Sequence, residues 1–188
     1  DISGYGIRSG IHPGPSGGKA DQAAAYIFDT LTKHARAGLK VRMESVKMTN
    51  AHTKESKVTV TVSGQSPKEI LHHPLRYNAT TSSQGIEGVL AYVGFGNSSD
   101  FDAVDVNGKI ALIDTDKVCD YDQTINTLRG RQTALAKGAI AVISAELRTP
   151  VPRGGEVGNE TTPSLIPMLS VGKPEGDYLR NLALSASP

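Results

Sequence analysis

The stretch Asn107-Gly108-Lys109-Ile110-Ala111-Leu112-Ile113-Asp114, followed by Ala136-Lys137-Gly138-Ala139-Ile140-Ala141-Val142-Ile143, constrains the fold more than any other part of the chain. A tight turn enters a buried strand, a helical stretch follows, and a Gly-Ala turn enters a second buried strand. The pattern predicts one compact β-α-β unit. That unit makes a fold and carries no chemistry. Between its strands stand Cys119 and no histidine, so local residues can assemble neither a metal cluster nor a nucleophile with its base.

With 188 residues the chain can bury one good core or hold two small units. Lys and Arg number 20 and Asp and Glu 19, a formal net charge of +1, so no long-range field draws nucleic acid or an anionic membrane. The apolar runs Ile110–Ile113 and Ala139–Ile143 fall far below the ~20 residues of a membrane span. A lone cysteine excludes an internal disulfide, and Cys119 reads as a small buried hydrophobe. Asn-X-Ser/Thr acceptor patterns at Asn78, Asn97 and Asn159 sit among polar or turn residues and lean towards a secreted, glycosylated protein. The chain opens on Asp1 without an apolar leader, the expectation being a processed protein or an excised fragment.

Periodicity places a helix on Ala20, Ala24, Ile27, Phe28, Leu31 and Ala35, stopped by Gly38. Alternation then predicts strands at Leu39–Met43 and Val58–Val62, neighbours in one sheet. The polar stretch broken by Pro67 and Pro74 reads as a crossing segment, dividing the chain into residues 1–65, a link at 66–84, and a second unit at 85–188. That second unit should hold strands at Gly88–Gly94, Lys109–Asp114, Ala139–Ser144 and Ile166–Val171. Helices are expected up to Gly138 and from Pro174 to Leu182. The fold class is α/β, of the α+β kind: a small β-rich sheet or barrel with flanking helices, preceded by a helix and two strands.

No constellation of catalytic residues stands out. The histidines are His12, His34, His52, His72 and His73, and the adjacent pair points to opposite sides of an extended chain, so no metal site is assigned. Gly94-Phe95-Gly96 lacks the third glycine and the following helix of a dinucleotide turn. Asp100, Asp102 and Asp105 alternate as in calcium loops but lack the central glycine and the bidentate acid, which leaves a solvated turn. Asp114, Asp116, Asp120 and Asp122, set against Lys109 and Lys117, read as paired surface charges. No Gly-X-Ser-X-Gly elbow offers a serine nucleophile. The long loop Thr149–Pro163, rich in Pro, Gly and charge, is the interaction candidate through Arg153, Glu156 and Glu160.

From about Gly85 to Leu182 the chain resembles the protease-associated domain. The resemblance is carried by Gly94 to Asp105 leading into Val106–Ile113, by Ala134-Leu135-Ala136-Lys137-Gly138-Ala139 before Ile140–Ile143, and by Ile166–Val171 before a helix. One departure is Asp114-Thr115-Asp116, which stands where an Arg-Gly pair often follows the strand. The first 65 residues are similar to the opening of secreted zinc exopeptidases of the aminopeptidase and glutamate-carboxypeptidase kind, through Arg8-Ser9-Gly10, the helix with Tyr26-Ile27, and Gly38-Leu39. In that family the zinc ligands and catalytic glutamate follow the inserted domain, so the resemblance implies no catalytic, metal or cofactor residue in this chain and zinc in the rest of the parent. It implies a regulatory role beside the peptidase's catalytic domain, shaping access to its substrate cleft. The alternative is a stand-alone module that binds a protein or peptide through the Thr149–Pro163 loop.

Overall fold

The computed structural model describes residues 19–35, 40–44, 53, 55–116, 121–158 and 161–185. They fall in two compact units, residues 1–50 and 51–188. In the first, α1 (Lys19–His34) follows the expected apolar spacing and places Lys33 and His34 in its last turn, where positive charge suits the carbonyl end of a helix. Ala23 is buried, whereas Ile27 and Leu31 stay largely exposed. Residues 40–44 form no strand, and the exposed Arg42–Glu44 ion pair lies among them. Alternation makes a strand only where a ladder partner is present, and among the described residues none pairs there.

In the second unit the alternating run at Val58–Val62 finds its partner downstream. β1 (Thr59–Val60) pairs antiparallel with β2 (Lys68–Glu69), Thr59 facing Glu69 and Val60 facing Lys68. The main sheet follows: β3 (His72–Pro74), β4 (Leu90–Tyr92), β5 (Ile110–Thr115), β6 (Ala141–Glu146) and β7 (Met168–Val171), in the order β3-β7-β6-β5-β4. β4 to β7 are parallel and β3 is antiparallel at one edge. The sheet is open rather than barrelled. Three helices complete the unit: α2 (Ser98–Ala103), α3 (Tyr121–Ala136) and α4 (Lys173–Ser185). β5-α3-β6 is the unit expected from the two apolar runs.

The sheet starts earlier than residue 85. Within 66–84 lie β2, β3 and the buried Ile70 and Leu75. Pro74 closes β3 at the sheet edge, a position that tolerates a residue without an N–H.

Strands covered on both faces send alternate residues into two cores. Ala111, Ile113, Val142 and Met168 pack with Val93, Phe101, Val106 and Ala134 of α3. Leu112, Ile143, Ala145 and Val171 pack with Ile70 and with Leu179 of α4. Glycines set two close approaches. Gly96, at φ +76°, meets Gly130 so tightly that a Cβ on either would lie 3.1 Å from the other's backbone, so Gly94-Phe95-Gly96 serves packing of α3. Past the end of α3, Gly138 adopts φ +84°, and a Cβ there would fall 2.4 Å from Asn107 Oδ1.

Candidate functional site

The carboxyl ends of parallel strands are where open α/β sheets hold ligands, and there β5 and β6 turn from apolar to charged. Asp114 faces α4. Only 4% exposed, it accepts a hydrogen bond from the Tyr92 hydroxyl at Oδ2 (2.6 Å) and one from Arg180 Nη2 at Oδ1 (2.7 Å). Arg180 also donates Nη1 to Asp177 (2.8 Å), which in turn binds Lys173. Burial, reinforced by the Asp114 carboxylate, pushes the Tyr92 hydroxyl up to about 12. Burial works against the Arg180 charge, yet its bonds to Asp114 and Asp177 outweigh that and hold it above the ordinary arginine value. Hydrogen bonds from Lys173 and Arg180 draw Asp177 below the usual carboxylate range.

Asp114 therefore differs from the expected surface charge: it is a buried anchor joining β4, β5 and α4. Its neighbour Asp116 fits the expectation better, pairing with the exposed Arg148 at 2.7 Å.

The α3 side carries a second network. Arg131, 6% exposed, donates Nε and Nη2 to Ser144 Oγ at 3.1 and 3.0 Å. Burial pulls its guanidinium down to about 10, opposed by the charge of Glu146. Glu146, itself buried, pairs with Arg153 Nε at 3.6 Å, and the Ser170 hydroxyl donates to the Arg153 carbonyl.

Of the interaction residues expected in the long loop, Arg153 is thus turned towards the sheet. Glu156 pairs with Arg76 at 2.8 Å, and the backbones meet as well: Arg76 N–H donates to Gly155 O (2.8 Å) and Val157 N–H to Arg76 O (3.1 Å). Glu160, with the acceptor residue Asn159, lies outside the described residues, as do Cys119 and Asp120. Asn78 clasps β7, its Nδ2 donating to Met168 O (2.6 Å) and its Oδ1 accepting from Met168 N–H (2.7 Å). Asn97 is exposed ahead of α2, its N–H bonded to Asp100 Oδ2 (2.9 Å). The remaining carboxylates of the calcium-like run pair with lysines, Asp102 with Lys137 and Asp105 with Lys109.

Among the described residues no group of three His, Cys, Asp or Glu side chains converges as a metal site would require. The donor set explains why at His72: Nε2 meets Ser56 Oγ (2.7 Å) and Nδ1 meets Ile70 O (2.8 Å). A structural zinc does not fit there. No described helix is long and apolar enough to cross a membrane.

Helical periodicity sets Arg131 with Arg129 and Lys137 on the polar face of α3, yet Arg131 is buried against β6, and Tyr92, Glu146 and Arg180 do not stand out in the sequence. The usable signal was a carboxylate ending each buried apolar run, Asp114 and Glu146, because a charge so placed needs a partner.

Such an arrangement defines a small α/β scaffold in which the polar groups tie helices and loops to the sheet. The chain belongs to the PA domain family, whose pattern matches residues 74–179, more than half of the sequence. Among similar solved structures is an aminopeptidase from Aneurinibacillus sp. strain AM-1, with 22% identity and a TM-score of 0.62 over 99% of this chain and 40% of that one. A zinc aminopeptidase from Bacillus subtilis shares 25% identity at TM-score 0.57, covering 86% of this chain and 35% of that one. A peptidase M28 precursor from Shewanella amazonensis SB2B matches at 18% identity and TM-score 0.59, over 99% and 43%. The chain thus spans less than half the length of each. No curated protein matches the sequence.

Proposed function

We propose that this chain is the non-catalytic, protease-associated portion of a secreted zinc exopeptidase of the aminopeptidase kind, where it shapes the route by which substrates reach the catalytic portion. One observation carries this reading: the PA domain match sits within a fold shared, over nearly the whole chain, with zinc-aminopeptidase and M28 structures more than twice as long. The internal bonding of Arg153 and Glu156 suits a wall of fixed shape, since a loop tied at several backbone and ionic points presents one surface. Zinc belongs, on this reading, to the parent's catalytic portion, which is also the partner. Of the two described acceptor residues, Asn78 and Asn97, the exposed Asn97 is the better placed to carry a glycan.

The test uses the natural full-length protein. Replacing residues 150–158 by a Gly-Ser segment of equal length should alter KM for peptides of several residues and leave turnover of a single-residue chromogenic substrate unchanged. Equal effects on both substrates, or none on either, would refute a role in substrate access. A natural protein whose intact mass equals that of this chain, binding peptides by itself, would favour the stand-alone module.

A further inference from the structure

A cleft of about 200 Å³ opens between α3 and the segment that leads into β7, bordered by Arg131, Gln132, Leu135, Val157, Pro163 and Leu165. Three observations meet there. First, a cation sits in its wall almost without water: Arg131 is 6% exposed, and its two bonds run to a single neutral hydroxyl, Ser144 Oγ. A guanidinium has five donors in a planar fork, and a desolvated one is costly unless an anion and hydrogen bonds compensate it. The nearby Glu146 acts from beyond ion-pair distance and is itself paired with Arg153.

Second, Leu135, Val157 and Leu165 give the wall an aliphatic part beside the polar Gln132 and Ser164, and Leu165 stands 79% exposed at its rim, an apolar surface left facing solvent. Third, the volume lies below the ~300 Å³ at which pockets for drug-sized ligands begin, so the cleft suits one side chain with one head group. Cation, aliphatic wall and size together describe a receptor for a carboxylate carried on a short aliphatic group.

We propose that this cleft binds an aliphatic carboxylate, with the Arg131 fork on the carboxyl group and Leu135, Val157 and Leu165 around the aliphatic part. The chemistry is shared by the C-terminal residue of a peptide ending in leucine and by a free acylated amino acid. This inference stands apart from the parent's peptidase reading and survives or fails separately.

Backbone amide NMR titration of the full chain tests it, with N-acetyl-leucine and a short leucine-terminated peptide, each beside its C-terminal amide. The acids should shift the signals of Val157, Leu165 and Met168 saturably. The amides should bind at least about tenfold more weakly, because a charge-assisted bidentate contact is replaced by a neutral one. Saturation by the peptide alone identifies a chain end as ligand, and saturation by N-acetyl-leucine alone identifies a small acid; either supports the site. Arg131→Lys keeps the charge but not the fork and should weaken binding of the acids. Should that variant fail to fold, Leu165→Glu at the exposed rim serves in its place, losing about tenfold or more in affinity with an unchanged thermal midpoint. Acids and amides shifting the same signals equally, no saturation by any probe, or full affinity in Leu165→Glu would overturn the proposal.

Discussion

Replacing Arg180 by methionine isolates the ion pair that joins α4 to the sheet, since methionine keeps most of the apolar stem and removes the charge. Asp114 would then remain a carboxylate 4% exposed, with the Tyr92 hydroxyl as its one surviving hydrogen-bond donor from this network. Breaking one side of a buried pair costs ~3–5 kcal/mol. The Arg180 side chain is 18% exposed and Tyr92 still donates, so the lower end applies, ~3 kcal/mol. For a chain of this size that corresponds to a fall in Tm of roughly 6–12 °C, at ~2–4 °C per kcal/mol. Adding Asp114→Asn to Arg180→Met removes the stranded charge and should recover more than half of the loss, a coupling of ~2 kcal/mol in the double-mutant cycle. Urea unfolding followed by circular dichroism at constant protein concentration reads both numbers. A single variant within ~1 kcal/mol of the parent, or a double variant whose loss is the sum of the singles, would show that the pair is not the anchor described.

Tyr92 gives a pH signature. Its folded value of about 12 lies above the ordinary ~10, so the folded state holds the proton more tightly. The stabilisation is complete below pH ~10 and is lost as pH rises towards 12. Ultraviolet titration of the folded protein should show one late tyrosine that disappears in Tyr92→Phe; six tyrosines titrating together would refute the assignment. Gly130→Ala should destabilise by ~1–3 kcal/mol, because the new methyl presses on the Gly96 backbone rather than on a yielding side chain; an unchanged urea midpoint would contradict that contact. Asn78→Ala should lower stability by ~1–3 kcal/mol through the unpaired Met168 N–H, while Met168 C=O keeps the Leu75 N–H. The same two bonds predict that tryptic peptides from a glycosylating host carry sugar at Asn97 and not at Asn78.

What could be read from the chain beforehand follows the range over which each feature is encoded. β5 and β6 are uninterrupted apolar runs beside a helical period, and local pattern suffices for such elements. β3 consists of His72, His73 and Pro74, with no strand signature, and becomes a strand only because β7, nearly a hundred residues on, offers Leu169 to Val171 as a ladder. Composition marked Thr149–Pro163 as an exposed interaction loop, yet the partner that ties it down, Arg76, comes from just past β3, the strand beside β7 and more than seventy residues earlier in the chain. The charges at the strand ends show the same limit. Asp114 and Glu146 look solvated beside polar turns, and the residues that desolvate them arrive from α3, α4 and the loop. Asp114, paired with Arg180 of α4, and Ser144, holding Arg131 of α3, tie both helices to the same end of the sheet. Whatever approaches that end meets a surface whose shape is set before contact, and such preorganisation lowers the ordering cost of any contact made there.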